Sequence, residues 1–579
     1  MNKIRPFILG LAVILSGLLA HGLLTMPTPK DADAEGFSSA RVVNDIAVIS
    51  KEHHSVAHPE ERARVREYLV ERLEGLGADT VKLFKYDSLV GPKNKHVTYT
   101  FDAVNVLAEF SPLKSVDTTE TKAYAAYLMF VAHYDSRYSQ PMPRDTVWSY
   151  GAADDGYGLG VILETVSQLL NNRQDWKQGV KVLFTDAEEV GMMGMTAIWE
   201  GNREVFDNVG LVINVEARGS YGPALMFEAC PGNENVQALY KSAARYPFTY
   251  SLTTVVYQFM PNFTDFTIIK DDVPGLNFST IADVNHYHTD LDNFSNISEQ
   301  SIQHYGEQIL PVSLAYLTSA EYSDKDALRS DSDVTNFSIP ALGLISFSKI
   351  GYILFCVVVF ILFLLTFALE GFRGRLKAMR VFKTTALVLA SAVGVVVLGE
   401  LFAYACAAGV GARFKLFGIV LGVPFDNMAI ALFIALVFAG AMLVYLTTRA
   451  KVVRSTLGSM RVSAAHTATM SNAMTLLYGT LALLFVLSAA MLFAVGENMM
   501  FIIPLTMATV ALILWRVTSL KLWIPVAVAV ILLHAFSFLY VLSMALTIGA
   551  LGIVAMIAFL DMMVIIPLCD LYLMYPKKK

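Results

Sequence analysis

The feature that most constrains this chain is a series of long apolar runs that begins near residue 345 and continues almost to its last residues. Seven are long enough to cross a bilayer as helices, at roughly 349–369, 384–408, 427–447, 474–495, 499–515, 522–543 and 547–569. Spans of this kind satisfy their backbone groups internally, so the segment 344–579 is expected to be an all-α, polytopic membrane domain. An eighth run, from Phe7 to about Met26, follows Lys3 and Arg5. It is long for a signal peptide and has no small-x-small cleavage site, so 1–26 reads as a signal anchor in preference to a cleaved leader. Basic residues fall on alternate loops: Lys3 and Arg5; Arg373, Arg375, Lys377 and Arg380; Arg449, Lys451, Arg454 and Arg461; Arg516 and Lys521; and the closing 577–579. The loops between carry only Arg413, Lys415 and Glu497. The excess of Lys and Arg on cytoplasmic loops then puts both termini inside and residues 27–343 outside the cytoplasm, in the periplasm, at the exterior or in an organelle lumen.

The overall composition, 55% hydrophobic and 16% charged, is too apolar for one ordinary globule, and the excess lies in the spans. The segment 27–343 has interspersed charge and reads as one soluble domain. A net charge of −6 says little about partners; no nucleic acid is expected, and the apolar spans imply the lipid bilayer. Cys356, Cys406 and Cys569 sit in apolar runs, which leaves Cys230 alone in the soluble part, so no disulfide framework is expected. Glu400, His534 and Asp561 fall inside apolar spans, where ionisable groups are costly; they are either functional or sit near span ends and pair between helices.

Within 27–343 the periodicity predicts helices at 60–76, 156–170, 234–246, 264–269 and 297–318, and strands at 97–110, 125–132, 180–185, 209–215 and 224–228. Alternation of this kind argues for a mostly parallel sheet with helices on both faces. The polar clusters stand where strands end: His133-Tyr-Asp135, then Gly-Ala-Ala-Asp154-Asp155-Gly-Tyr-Gly, Asp186-Ala-Glu188-Glu189, Asn-Val-Glu216-Ala, and His286-Tyr287-His288-Thr. In an open α/β sheet such ends converge on one edge. The set is imidazole and carboxylate with no thiol, which suits Zn²⁺ or a similar divalent ion, and a bridging carboxylate would allow two.

His-x-Asp, Gly-Ala-x-Asp-x-Gly-x-Gly, Asp-x-Glu-Glu-x-Gly, Asn-x-Glu-Ala and Tyr-His-Thr-x-x-Asp, in this order, resemble the motifs of the di-zinc exopeptidases that include bacterial leucyl aminopeptidases and glutamate carboxypeptidase II. The layout of anchor, peptidase domain and polytopic tail is similar to the endoplasmic reticulum metallopeptidase and the fungal vacuolar membrane protease. The resemblance covers about residues 40–320 and implies a three-layer α/β/α domain with a mixed, mostly parallel sheet. It implies two Zn²⁺ ions, with His133 and Glu216 on one, Glu189 and His288 on the other, and Asp154 on both. It further implies Glu188 as general base, and an exopeptidase, of the aminopeptidase kind in preference to a carboxypeptidase. Asp135 fits a partner for the other nitrogen of His133, Tyr287 a donor to the oxyanion, and Asp292 a loop organiser.

Other assignments stay open on sequence alone. His286 is the rival of His288. His53, His54, His58 and His304 are expected at the surface. Arg218, just after Glu216, either meets a substrate carboxylate or makes a structural salt bridge. The competing functional class is an inactive peptidase-like receptor, scaffold or transporter component, and retention of all five ligands with Glu188 weighs against it.

Overall fold

In the computed structural model the described residues are 4–24, 26–91, 100–113, 126–137, 148–258, 262–339, 342–457 and 462–574. Lys3, Ala125, Arg461, the closing 577–579 and the 97–99 start of one expected strand lie outside them. The chain forms two compact units: Thr25–Ser338 with Gly343–Lys349, and Met1–Leu24 with Ile339–Leu342 and Ile350–Lys579.

The first unit is built on a seven-stranded sheet. Its strands are β1 (Thr80–Val90), β2 (Thr100–Phe110), β3 (Tyr127–His133), β4 (Gly179–Thr185), β5 (Val209–Ala217), β6 (Leu225–Ala229) and β7 (Gly275–Thr280), in the order β1-β2-β4-β3-β5-β7-β6. The four central strands β4, β3, β5 and β7 are parallel, β2 and β6 run against them, and β1, antiparallel to β2, runs with the centre. The sheet is therefore mixed, with most strands sharing one direction. Every residue of β4 and β5 is buried, and β3 is a continuous apolar run leading into His133. Burial on both faces requires a layer on each side. Helices Ser39–Ile49, Gly156–Leu170 and Glu299–Thr318 pack on one another, with Gly156–Leu170 against β3 and β5. Met193–Gly201 and Asp265–Ile269 pack together, against β2 and β3 respectively.

This topology places the site. β3 has β4 on one side and β5 on the other, so the chain leaves the carboxyl ends of adjacent parallel strands toward opposite sides of the sheet. A crevice opens at such a point. His133 pairs in register with Thr185, and Glu216 with Ser279, so the end of β3, the turn after β4, the end of β5 and the loop after β7 share one edge.

Among the described residues the second unit holds eight helices long and apolar enough to cross a membrane, each matching one expected run: 4–22, 349–372, 378–410, 426–449, 470–495, 499–518, 523–546 and 548–573. Basic residues from several loops meet at one end of this unit. Arg373, Arg375 and Arg516 all reach the buried Glu370, Arg516 at 2.6 Å, while Arg449 lies 3.6 Å from Asp570 and the Arg5 guanidinium donates to the Tyr572 carbonyl at 3.3 Å. Glu400 accepts the Gly552 N–H at 3.0 Å, so it pairs between segments. His534 is buried and stacked on Phe538, with neither ring nitrogen hydrogen-bonded among the described residues, and Asp561 is buried.

Candidate metal centre

His133, at the last position of β3, is held at both its main chain and its ring. Its N–H donates to Asp155 Oδ2 at 3.3 Å, and its Nδ1 lies 2.9 Å from the Asp135 carbonyl oxygen. That leaves Nε2 for the cavity, 3.2 Å from Asp154 Oδ1 and 3.6 Å from Glu216 Oε2. The Asp135 carboxylate, expected to orient the imidazole, stands 3.6 Å from Nδ1 and is engaged elsewhere: it accepts the N–H groups of Glu188 and Glu189 at 2.9 and 3.2 Å. Asp135 therefore orients His133 through its main chain and the glutamate turn through its side chain.

Asp154 and Asp155 precede helix Gly156–Leu170. Asp155 caps it, accepting the Gly158 N–H at 2.9 Å, and a Cβ at position 158 would lie 2.3 Å from the same carboxylate, so only glycine fits there. Asp154 faces the cavity. Its loop is organised by the buried Asp292, which accepts from the Ala153 N–H at 2.7 Å, the Asp154 N–H at 3.3 Å and the Ser149 hydroxyl at 2.9 Å, in the expected role. Burial first, and Asp154 second, raise the Asp292 carboxyl to about 7.

The turn after β4 aims two adjacent glutamates at one cavity, with Ala187 in the left-handed region at φ 57°. Glu189 Oε2 lies 3.1 Å from His288 Nε2 and 3.1 Å from Arg137, which also donates to the Glu189 carbonyl at 2.6 Å. His288, at φ 60°, presents Nε2 to Asp154 Oδ2 at 3.3 Å as well. Two ligand groups result, His133–Asp154–Glu216 and Asp154–Glu189–His288, each with ligand atoms within 4.8 Å of one another. Asp154 belongs to both and turns a different oxygen to each. His286 stays outside, its Nδ1 2.6 Å from the Ser220 hydroxyl.

The donor set fits divalent cations. It is nitrogen and oxygen only, and Glu189 Oε1 and His288 Nε2 are buried without a hydrogen-bond partner among the described residues. Burial works to lower the His133 imidazole's pKa, yet Asp135, Asp154 and Glu216 carry it well above its usual range, the response of a basic group crowded by carboxylates. Burial likewise opposes ionisation of Glu189, but His288 and Arg137 hold its carboxyl below the usual range. Glu188 differs from its neighbour. Burial, together with Glu216, Asp265 and Glu189 and against the pull of His133, pushes its carboxyl well up. Tyr287 stacks on His288 at 3.5 Å between ring centroids, and burial plus Asp154, Glu189 and Glu188 keep its hydroxyl protonated.

Three findings depart from the sequence reading or lie outside it. His54 and His304, expected at the surface, are buried, and burial pulls each down to about 4, so both are neutral. They serve main-chain groups: His54 Nδ1 lies 2.9 Å from the Glu52 carbonyl, and His304 Nδ1 accepts the Ala224 N–H at 2.9 Å. His53 and His58 are partly exposed beside Trp148. Arg137 was not singled out, although a cation two residues past Asp135 was visible. Asp265 was not either: it accepts from the Thr185 hydroxyl, its Oδ1 is buried and unpaired, and burial first, then Glu216 and Asp135, raise it to about 7.

The α/β sheet and its paired ligand groups are those of a metallopeptidase domain, and residues 115–313 match the family model of Peptidase family M28. Over those residues, about a third of its length, the chain is similar to that family. Endoplasmic reticulum metallopeptidase 1 of Homo sapiens is 30% identical over 232 residues, 38% of this chain and 24% of that protein. The vacuolar membrane protease of Candida tropicalis is 30% identical over 176 residues, 30% of this chain and 18% of that protein. The match thus spans about a quarter or less of these curated relatives' length. A solved Zn-dependent exopeptidase from Parabacteroides distasonis is 18% identical, with 48% of this chain and 98% of that one covered at a TM-score of 0.36.

Proposed function

We propose that this chain is a membrane-anchored metallo-exopeptidase with two Zn²⁺ ions, an aminopeptidase that hydrolyses peptides outside the cytoplasm. The observation that carries the reading is Asp154, whose Oδ1 faces His133 at 3.2 Å and whose Oδ2 faces His288 at 3.3 Å. His133, Glu216 and Asp154 would hold one ion, and Glu189, His288 and Asp154 the other. When bound, such ions polarise the scissile carbonyl and acidify water. Glu188 belongs to neither ligand group yet lies within electrostatic reach of His133, Glu216 and Glu189, so it serves as the base that takes the water's proton and passes it to the leaving amine. Tyr287 donates its O–H to the developing oxyanion. Arg137 fixes Glu189, and Asp135 fixes the turn that separates the roles of Glu188 and Glu189. The motif resemblance favours an aminopeptidase.

The gathering of Arg5, Arg373, Arg375, Arg449 and Arg516 at one end of the helical unit supports a single basic, cytoplasmic face. The peptidase domain lies between the first two spans and so emerges on the other side. The test is a panel of peptides and aminoacyl amides, with free and blocked amino termini, offered to the zinc-loaded full-length protein. Release of amino-terminal residues, abolished by acetylation, is expected. Cleavage of amino-blocked peptides alone would make it a carboxypeptidase, and no cleavage at all with both metals bound would support the inactive reading.

A further inference from the structure

Arg218 is a sequence-selected residue beside the metal ligands that the reaction scheme above does not use. It follows β5 directly, two positions beyond Glu216, and alternate residues of a strand point the same way. Its main chain is pinned, the N–H donating to the Thr280 carbonyl at 3.1 Å and the Ser279 hydroxyl at 3.0 Å. Its side chain, in contrast, makes no ion pair and no hydrogen bond among the described residues, and its Nε is buried. The structural salt bridge expected as one alternative is therefore absent there. A guanidinium stays charged, and a charge removed from water without a counter-ion is costly. Arg218 is half-buried and has no carboxylate paired with it among the described residues, so the fold leaves it open to a counter-ion from outside.

A second, independent group is left open beside it. Tyr257, in helix Ser251–Gln258, packs its ring edge-on against Phe227 at 4.9 Å, and its buried hydroxyl has the Thr267 side chain beside it but no well-formed hydrogen bond among the described residues. Tyr257 lies within electrostatic reach of Arg218, and also of Glu216 and Glu188, which places both groups beside the metal ligands. A guanidinium fork and a phenolic O–H, both donors, together match a carboxylate.

We propose that Arg218 and Tyr257 form a subsite for a substrate carboxylate, so that the preferred peptides carry a carboxylate next to the scissile bond. Two sources have this chemistry: an Asp or Glu side chain on the residue being removed, and the terminal carboxylate of a dipeptide. The proposal rests on the peptidase reading of the metal centre.

The experiment uses the full-length, zinc-loaded protein and two matched pairs that differ only in a carboxylate: glutamic acid α-amide against glutamine α-amide, and glycylglycine against glycylglycinamide. The wild type should favour the carboxylate member in kcat/KM for one pair, and that pair names the source. Arg218→Met should lower the favoured substrate by about 100-fold while leaving its neutral partner within a few-fold, the loss expected when one side of a desolvated charge pair is removed. Arg218→Lys, which keeps the charge and loses the fork, should fall between. Equal losses on both members of each pair, or no preference in the wild type, would overturn the subsite. If no substrate is cleaved, the peptidase reading fails separately. Binding then decides the subsite: thermal stabilisation by glutamic acid α-amide that exceeds that by glutamine α-amide, and disappears in Arg218→Met, supports it, and stabilisation unchanged in Arg218→Met overturns it.

Discussion

Replacing Asp135 by Asn separates two ways in which this residue could act. In the structure His133 Nδ1 is served by the Asp135 carbonyl, which the substitution keeps, while the carboxylate receives the Glu188 and Glu189 N–H groups at 2.9 and 3.2 Å. An amide can accept only one of those two donors and turns its NH₂ toward the other. The loss is one charge-assisted hydrogen bond plus one buried N–H without an acceptor, about 2–3 kcal/mol. For a domain of this size that lowers the melting temperature by roughly 3–5 °C. The catalytic effect is separate: the glutamate turn shifts, and a misplacement of about 1 Å near the reacting atoms costs on the order of 100-fold in kcat. Metal on the His133 side should remain. Differential scanning fluorimetry, steady-state kinetics and elemental analysis on the same preparations measure the three quantities. The reasoning is refuted if Asp135→Asn loses metal as completely as His133→Ala does, since Asp135 would then act on the imidazole through its carboxylate, or if stability and kcat are both unchanged.

Glu188→Gln should keep full metal content and lose about 10²- to 10⁴-fold in turnover, the range for a general base; near-normal rates with normal metal would remove Glu188 from that role. Asp265, raised to about 7 against an ordinary 3.8, binds its proton more tightly in the folded chain, so its contribution to stability is present at low pH and is lost as pH rises toward 7. In chelator-treated protein, Asp265→Asn should therefore gain stability relative to the wild type at pH 8, on the order of 4 kcal/mol, and the gain should vanish near pH 4; a gain that grows toward acid would contradict the burial argument. A reporter active only in the cytoplasm should be silent when fused after Tyr322 and active after Lys377, and the reverse would place the peptidase domain inside.

The apolar spans were legible because length and hydropathy are local properties, and all eight runs became helices. The ligand set was legible for a different reason: each ligand follows a strand or opens a helix, and parallel β3, β4, β5 and β7 bring those ends together whatever the intervening sequence does. Four strands were not legible: the short pair Val334–Ile339 and Gly343–Ser348, and two of the seven-stranded sheet. β1 is an exposed edge that alternates Lys82, Lys85 and Asp87 with apolar residues, and β7 is six residues long with Asn277 buried at its centre, hydrogen-bonded to Asn214 at 2.9 Å. Polar residues stabilised by a neighbouring strand look like loop when read alone. His54 and His304 failed in the same way, because their partners are main-chain groups, those of His304 contributed by a distant loop. The division of labour within Asp135 was equally hidden, since sequence does not say whether a residue acts through its carbonyl or its carboxylate.

The central claim is that Asp154 joins two metal sites, and the count of zinc per chain tests it most directly. Elemental analysis of the purified full-length protein should give two zinc ions in the wild type, about one in Glu216→Ala, and close to none in Asp154→Asn, with all three chains folded. A wild type that takes up a single ion, or an Asp154→Asn variant that retains as much zinc as Glu216→Ala, would contradict it.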